Sequence, residues 1–197
     1  MKMQMTETER QQAFPVIYLV RHCEATCQGQ EPGASLSEVG CQQAEQLAAW
    51  FADRKIARII SSPYTRAIQT VEPLATQRGL VIEIDERFRE RALCSGPLPD
   101  WRERVAASYT DLDLCLPGGE SCRTAMARGV AALEEVIRHG LFPAVVATHG
   151  NLLTLLRKHF DASVGFKEWQ QLTNPDVYCL RYDEGQPTIV RLWEDAT

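Results

Sequence analysis

Continuously apolar runs alternate with amphipathic stretches along this chain, and the two patterns assign most of its elements. Val16-Ile17-Tyr18-Leu19-Val20 is apolar throughout, β-branched or aromatic, as a strand buried on both faces requires. Leu36-Ser37-Glu38-Val39-Gly40 then opens a helix, with Ser37 as N-cap and Cys41, Ala44, Leu47, Ala48 and Phe51 repeating at helical spacing. Residues 57–60 read as a second strand; Ser62 as a cap and Pro63 in the first turn predict a helix to about Arg78, stopped by Gly79. A third strand follows over 80–84, and the order so far is β-α-β-α-β. Residues 120–139 form a long amphipathic helix punctuated by Gly140, and 142–147 is again continuously apolar. A helix over about 151–159 and strands over 177–182 and 188–193, around a turn at 183–185, complete the chain.

This order predicts a three-layer α/β/α sandwich with a mostly parallel central sheet and helices on both faces. At 197 residues the length fits a single domain over 14–197, preceded by a polar tail over 1–13. Prolines and glycines beyond Arg91, with one helix around 100–109, mark an insertion around 91–119 of the kind that shapes a pocket.

Composition narrows the partners. Residues 1–13 contain no apolar segment resembling a secretory signal or membrane anchor, and seven cysteines without a regular framework fit reduced thiols. A cytoplasmic protein is expected, with no membrane partner. The net charge of −5 argues against nucleic acid, so an anion site must be a local cluster of positive groups. Apolar faces that bury in a core and those that bury in an interface look alike, which leaves the oligomeric state open.

Four segments place such groups at or just after strand ends: Arg21-His22, Ser62 with Arg66, Arg89-Glu90, and Thr148-His149-Gly150. Open α/β sheets collect ligands at the carboxyl ends of their strands. A guanidinium there holds a phosphate or carboxylate bidentately, while an imidazole serves as nucleophile, base or metal ligand.

Several ordered motifs resemble those of the histidine phosphatase superfamily, in its phosphoglycerate mutase-like branch. Leu19-Val20-Arg21-His22-Cys23-Glu24 is similar to the family's Leu-Val-Arg-His-Gly-Glu signature, and Leu36-Ser37-Glu38-Val39-Gly40 to its Leu-Ser/Thr-x-x-Gly helix start. Ser61-Ser62-Pro63-Tyr64-Thr65-Arg66-Ala67-Ile68-Gln69-Thr70, Pro117-Gly118-Gly119-Glu120-Ser121 and Val146-Ala147-Thr148-His149-Gly150 resemble three further segments in the same order. The resemblance implies a phosphoglycerate mutase-like fold, with His22 as a nucleophile that becomes phosphohistidine. Arg21, Arg66 and His149 then surround the phosphoryl group, and no metal or cofactor is called for.

By the same resemblance Glu90 is the proton donor, a task suited to a carboxyl whose pKa is raised by burial, with Glu86 in reserve. Gln28 stands where many members have asparagine and keeps an amide that can bind phosphate. Cys23 replaces a glycine; it either strains the backbone or narrows the pocket. The activity implied is metal-independent hydrolysis of the phosphate monoester of a small phosphorylated metabolite. The alternatives are a phosphoglycerate mutase-type phosphotransferase and a catalytically weak protein that binds a phosphorylated ligand.

Overall fold

The computed structural model describes residues 15–26, 31–183 and 185–194. Its strands β1 (Val16–Arg21), β2 (Arg58–Ser61), β3 (Ile82–Ile84), β4 (Ala144–Thr148), β5 (Asp176–Asp183) and β6 (Gln186–Arg191) form one sheet in the order β3-β2-β4-β1-β5-β6. The first four are mutually parallel, whereas β5 runs antiparallel to β1 and β6 antiparallel to β5. The parallel strands sit between helical layers, so their sequences show unbroken apolar runs.

Strand pleating divides the core in two. Ile17 and Leu19 of β1 with Ala144 and Val146 of β4 face Leu133, Val136, Leu152 and Leu156, which belong to helices lying on one side. Val20 with Val145 and Ala147 face Leu47, Phe51, Val71 and Leu74 on the other. The second layer is α1 (Glu38–Trp50) and α2 (Thr65–Arg78); the first holds α4 (Cys122–His139) and α5 (Gly150–Phe160). Each such fully buried Leu, Ile or Phe stabilises by about 1.5–3 kcal/mol. This is the expected α/β/α sandwich.

Against α4 and α5 pack α3 (Trp101–Thr110) and the short α6 (Phe166–Gln170), through Val105, Tyr109, Phe166 and Trp169. Sequence periodicity missed α6, whose single turn is defined by tertiary packing and by the Glu168 carboxylate accepting the Gly165 N–H at 2.8 Å.

Several boundaries differ from expectation, among them the following three. The third strand begins at Ile82, because the Leu80 N–H bonds Ala75 O at 3.0 Å in the end of α2, where Gly79 adopts φ 63°. The last strand ends at Arg191 rather than 193. The helix after β2 starts at Thr65 with Tyr64 as its N-cap, so Ser62 does not act as the cap; its hydroxyl is used elsewhere.

Gly40 shows why its motif needs glycine: a Cβ there would stand 1.9 Å from Glu24 O. The start of α1 thus rests directly on the backbone that leaves β1, fixing the path beyond His22. The register pairs Arg21 with Thr148 and Ser61 with Ala147, which brings three strand ends to one edge.

Candidate active site

The carboxyl ends of β1, β2 and β4 deliver His22, Ser62 and His149 side by side. Backbone bonds continue the sheet one residue further, His22 N–H to Thr148 O at 3.0 Å and Ser62 N–H to Ala147 O at 2.9 Å. Asn174 Nδ2 donates to His22 O at 2.7 Å and anchors the same backbone from the β5 side.

The His22 ring is set by its neighbours. Its Nδ1 lies 2.7 Å from Cys23 O, which can only accept, so Nδ1 carries the proton and Nε2 keeps a lone pair. Arg66 Nε donates to that Nε2 at 3.2 Å. Burial, with the Arg66 and Arg21 guanidiniums close by, pushes the imidazolium pKa down to about 3. At neutral pH the ring is therefore uncharged.

Arg66 is 2% exposed, gives Nη1 to Glu31 O at 2.9 Å and lies over Tyr64, 4.9 Å from the ring centre. Arg21 gives Nη1 to the carbonyls of Leu172 and Thr173 at 3.0 and 3.1 Å. Its Nε is buried and makes no hydrogen bond among the described residues. The turn that receives Arg21 is braced by Asp176, which accepts Thr173 N–H at 3.2 Å and Arg191 Nε at 2.9 Å.

His149 is fully buried behind His22, with ring centres 5.2 Å apart and Nε2 2.7 Å from Ser62 Oγ. Burial first, then the charges of His22, Arg66, Arg128 and Arg21, holds it well below the ordinary histidine range. Its Nδ1 is buried without a hydrogen bond among the described residues. Two histidines whose folded pKa values lie below their unfolded ones take up protons on unfolding, so stability is full above about pH 6.5 and falls as pH drops. Between pH 7.5 and 5.5, urea unfolding should show a loss of about 2 kcal/mol, and His149→Asn should flatten that slope.

Glu90 lies at the start of α5. Its Oε1 accepts the N–H groups of Arg91 at 2.8 Å and Leu152 at 3.1 Å, and its Oε2 accepts that of Asn151 at 3.0 Å. The carboxyl is part-buried and held by these backbone donors. Arg128 carries the loop: it grips Glu120 with two 2.8 Å bonds and reaches the carbonyls of Arg87, Arg89 and Glu90. Glu86 is exposed and lies outside the cleft.

Arg21, His22, Arg66 and Glu90 line one open cleft of about 960 Å³, with Gly150 and Asn151 at its inner end. Helix α5 begins there, with the N–H groups of Asn151 and Leu152 in its first turn taken by the Glu90 carboxylate. Residues of the 91–119 segment, Leu93, Leu98 and Trp101 among them, form the outer wall. Gln28 lies outside the described residues. Cys23 does not narrow the cleft: it is fully buried against Leu36 and Ala44, its thiol pushed up to about 12 by burial. Cys23→Gly should therefore cost about 1–2 kcal/mol of stability, read from denaturant midpoints, and give no gain in turnover.

Asn174, Arg128 and Ser62 were not assigned these roles from sequence. Asn174 sits in an Asn-Pro-Asp turn and Arg128 on a helix, and neither context distinguishes them from ordinary surface residues.

A neutral imidazole and two guanidiniums meet at one anion-sized corner, an arrangement suited to holding a phosphate group. The family model of the histidine phosphatase superfamily (branch 1) matches residues 17–195, and the chain belongs to that superfamily. The Probable phosphoglycerate mutase GpmB of Shigella dysenteriae is 34% identical over 192 residues, covering 85% of either chain. An uncharacterized Mycobacterium tuberculosis protein is 37% identical over 81 residues, 39% of this chain and 40% of its own length, so the match spans well under half of that relative. Among solved structures, a mycobacterial glucosyl-3-phosphoglycerate phosphatase shares the fold at a TM-score of 0.74 and 24% identity, over 94% of this chain and all of that one. No described helix is long and apolar enough to cross a membrane.

Proposed function

We propose that this chain hydrolyses phosphate monoesters of a small phosphorylated metabolite through a phosphohistidine on His22, without a metal. The observation that carries this reading is the His22 imidazole, held neutral with its Nε2 lone pair beside the Arg66 guanidinium at 3.2 Å.

In the first step Nε2 attacks phosphorus in line, the N–P bond forms and the ester P–O bond breaks. The leaving oxygen takes a proton from Glu90. Oε2 is the better carrier, since it accepts one backbone N–H against two at Oε1. The phosphorylated ring becomes cationic, and Cys23 O, already bonded to Nδ1–H, stabilises it. In the second step Glu90 removes a proton from water as its oxygen attacks phosphorus, and the N–P bond breaks to release phosphate and neutral His22. Arg21 and Arg66 meet the charge on the equatorial oxygens. A dianion there also offsets the guanidinium charges that, after burial, hold down the His149 pKa.

A mutase, which returns the phosphoryl group to its substrate, is the second reading; it is favoured by the 34% identity to GpmB. One experiment separates them: turnover of p-nitrophenyl phosphate and 3-phosphoglycerate with EDTA present, with acid quench to trap an acid-labile phosphoenzyme. Release of inorganic phosphate with a trapped phosphoenzyme is expected. Formation of 2-phosphoglycerate without phosphate release would transfer the assignment to the mutase, and tight phosphate binding with neither product would leave a binding protein.

A further inference from the structure

The cleft extends far beyond the phosphoryl corner, and its outer wall has its own chemistry. Trp101 and Trp169 meet edge to face, ring centres 5.9 Å apart and planes at 82°. Phe166 stacks on Trp169 at 5.4 Å with planes 16° apart and fixes that ring from behind. Leu93 and Leu98 continue the apolar surface. Trp101 stands 39% exposed in the first turn of α3 and lines the cleft, with the Arg102 guanidinium over its ring, 5.5 Å from the centre. Two perpendicular rings make a corner that takes a flat ring, stacked on one and edge-on to the other.

This corner begins where the phosphoryl corner ends. A Cβ placed at Gly150 would lie 3.3 Å from Arg21 Nε and 3.4 Å from Trp169 Nε1, so the indole N–H and the guanidinium flank the same glycine. The cleft is lined by three guanidiniums, Arg21, Arg66 and Arg102, and three carboxylates, Glu24, Glu31 and Glu90. With Arg21 and Arg66 given to the phosphoryl group, Arg102 is the guanidinium left at the aromatic end, where it lies over the Trp101 ring.

Building on the phosphate-monoester reading above, we propose that the substrate's alcohol carries a flat ring a few bonds from the ester oxygen, seated in the corner that Trp101 and Trp169 form.

The test is binding of propylphosphonate and 3-phenylpropylphosphonate, measured by calorimetry on the full chain, because phosphonates require no turnover. The ring should tighten Kd at least about tenfold, the usual scale of aromatic stacking. Trp101→Ala should reduce that ratio below about threefold, while Trp101→Phe keeps most of it. Equal affinities, absence of binding by either phosphonate, or a ratio that survives Trp101→Ala would each overturn the proposal. A ring preference without His22-dependent hydrolysis would sink the phosphatase assignment alone; His22-dependent hydrolysis without a ring preference would sink the ring proposal alone.

Discussion

His22→Ala should lower kcat on p-nitrophenyl phosphate by about 10,000-fold or more, while inorganic phosphate still binds within about tenfold of the wild-type affinity. The asymmetry follows from the geometry. Removing the imidazole removes the atom that forms the N–P bond, and the neighbouring neutral imidazole, His149, is fully buried and does not line the cleft. The anion cradle is built from other parts: Arg21 remains tied to the Leu172 and Thr173 carbonyls, and Arg66 to Glu31 O. A loss of this size is about 5.5 kcal/mol of transition-state stabilisation, beyond what one weakened hydrogen bond supplies. The fold should tolerate the change, since the ring's one backbone bond, to Cys23 O, is worth about 1 kcal/mol. A variant that keeps a tenth of wild-type kcat after purification free of other phosphatases would show that His22 is not the nucleophile.

The site residues were legible in the sequence where chemistry coincides with a strong local pattern. The apolar run into Arg21-His22 and the run ending at Thr148-His149 are buried central strands, and a parallel register leaves their carboxyl ends no choice but to meet. What sits around them was not legible, because it comes from contacts across great sequence distance. Asn174 reaches His22 O across 152 positions, and Arg21 reaches Leu172 O across 151. No local period encodes such pairs.

The Glu-Arg-rich stretch around Arg91 is a further case. No local pattern marks Arg91, yet it is 2% exposed and donates to Glu120 O at 2.9 Å and Ser108 Oγ at 2.7 Å. The same network fixes the backbone on which Glu90 stands, so this charge run is architecture for the site. Ser62 illustrates the opposite conflict. Local preference makes it a helix cap before proline, but its hydroxyl bonds His149 at 2.7 Å, and the helix starts three residues later.

Arg66→Lys should lower kcat/KM by about 100- to 1,000-fold although the charge is kept. Arg66 acts through the span of its fork: Nε reaches His22 Nε2 at 3.2 Å while Nη1 holds Glu31 O at 2.9 Å, and its plane lies over Tyr64. An ammonium is a point charge on a flexible stem, so it cannot occupy both positions or stack. The effect should fall mainly on kcat. In the ground state a lysine still attracts the dianion, but the charge that moves onto the equatorial oxygens during transfer needs donors fixed in place beforehand. Arg66→Ala should lose more, with weaker phosphate binding added to slower transfer, because Arg21 is then the one guanidinium left at the corner. Steady-state kinetics and phosphate affinities for both variants separate the two contributions. A lysine variant within about fivefold of wild type would mean that the charge of Arg66 matters and its geometry does not.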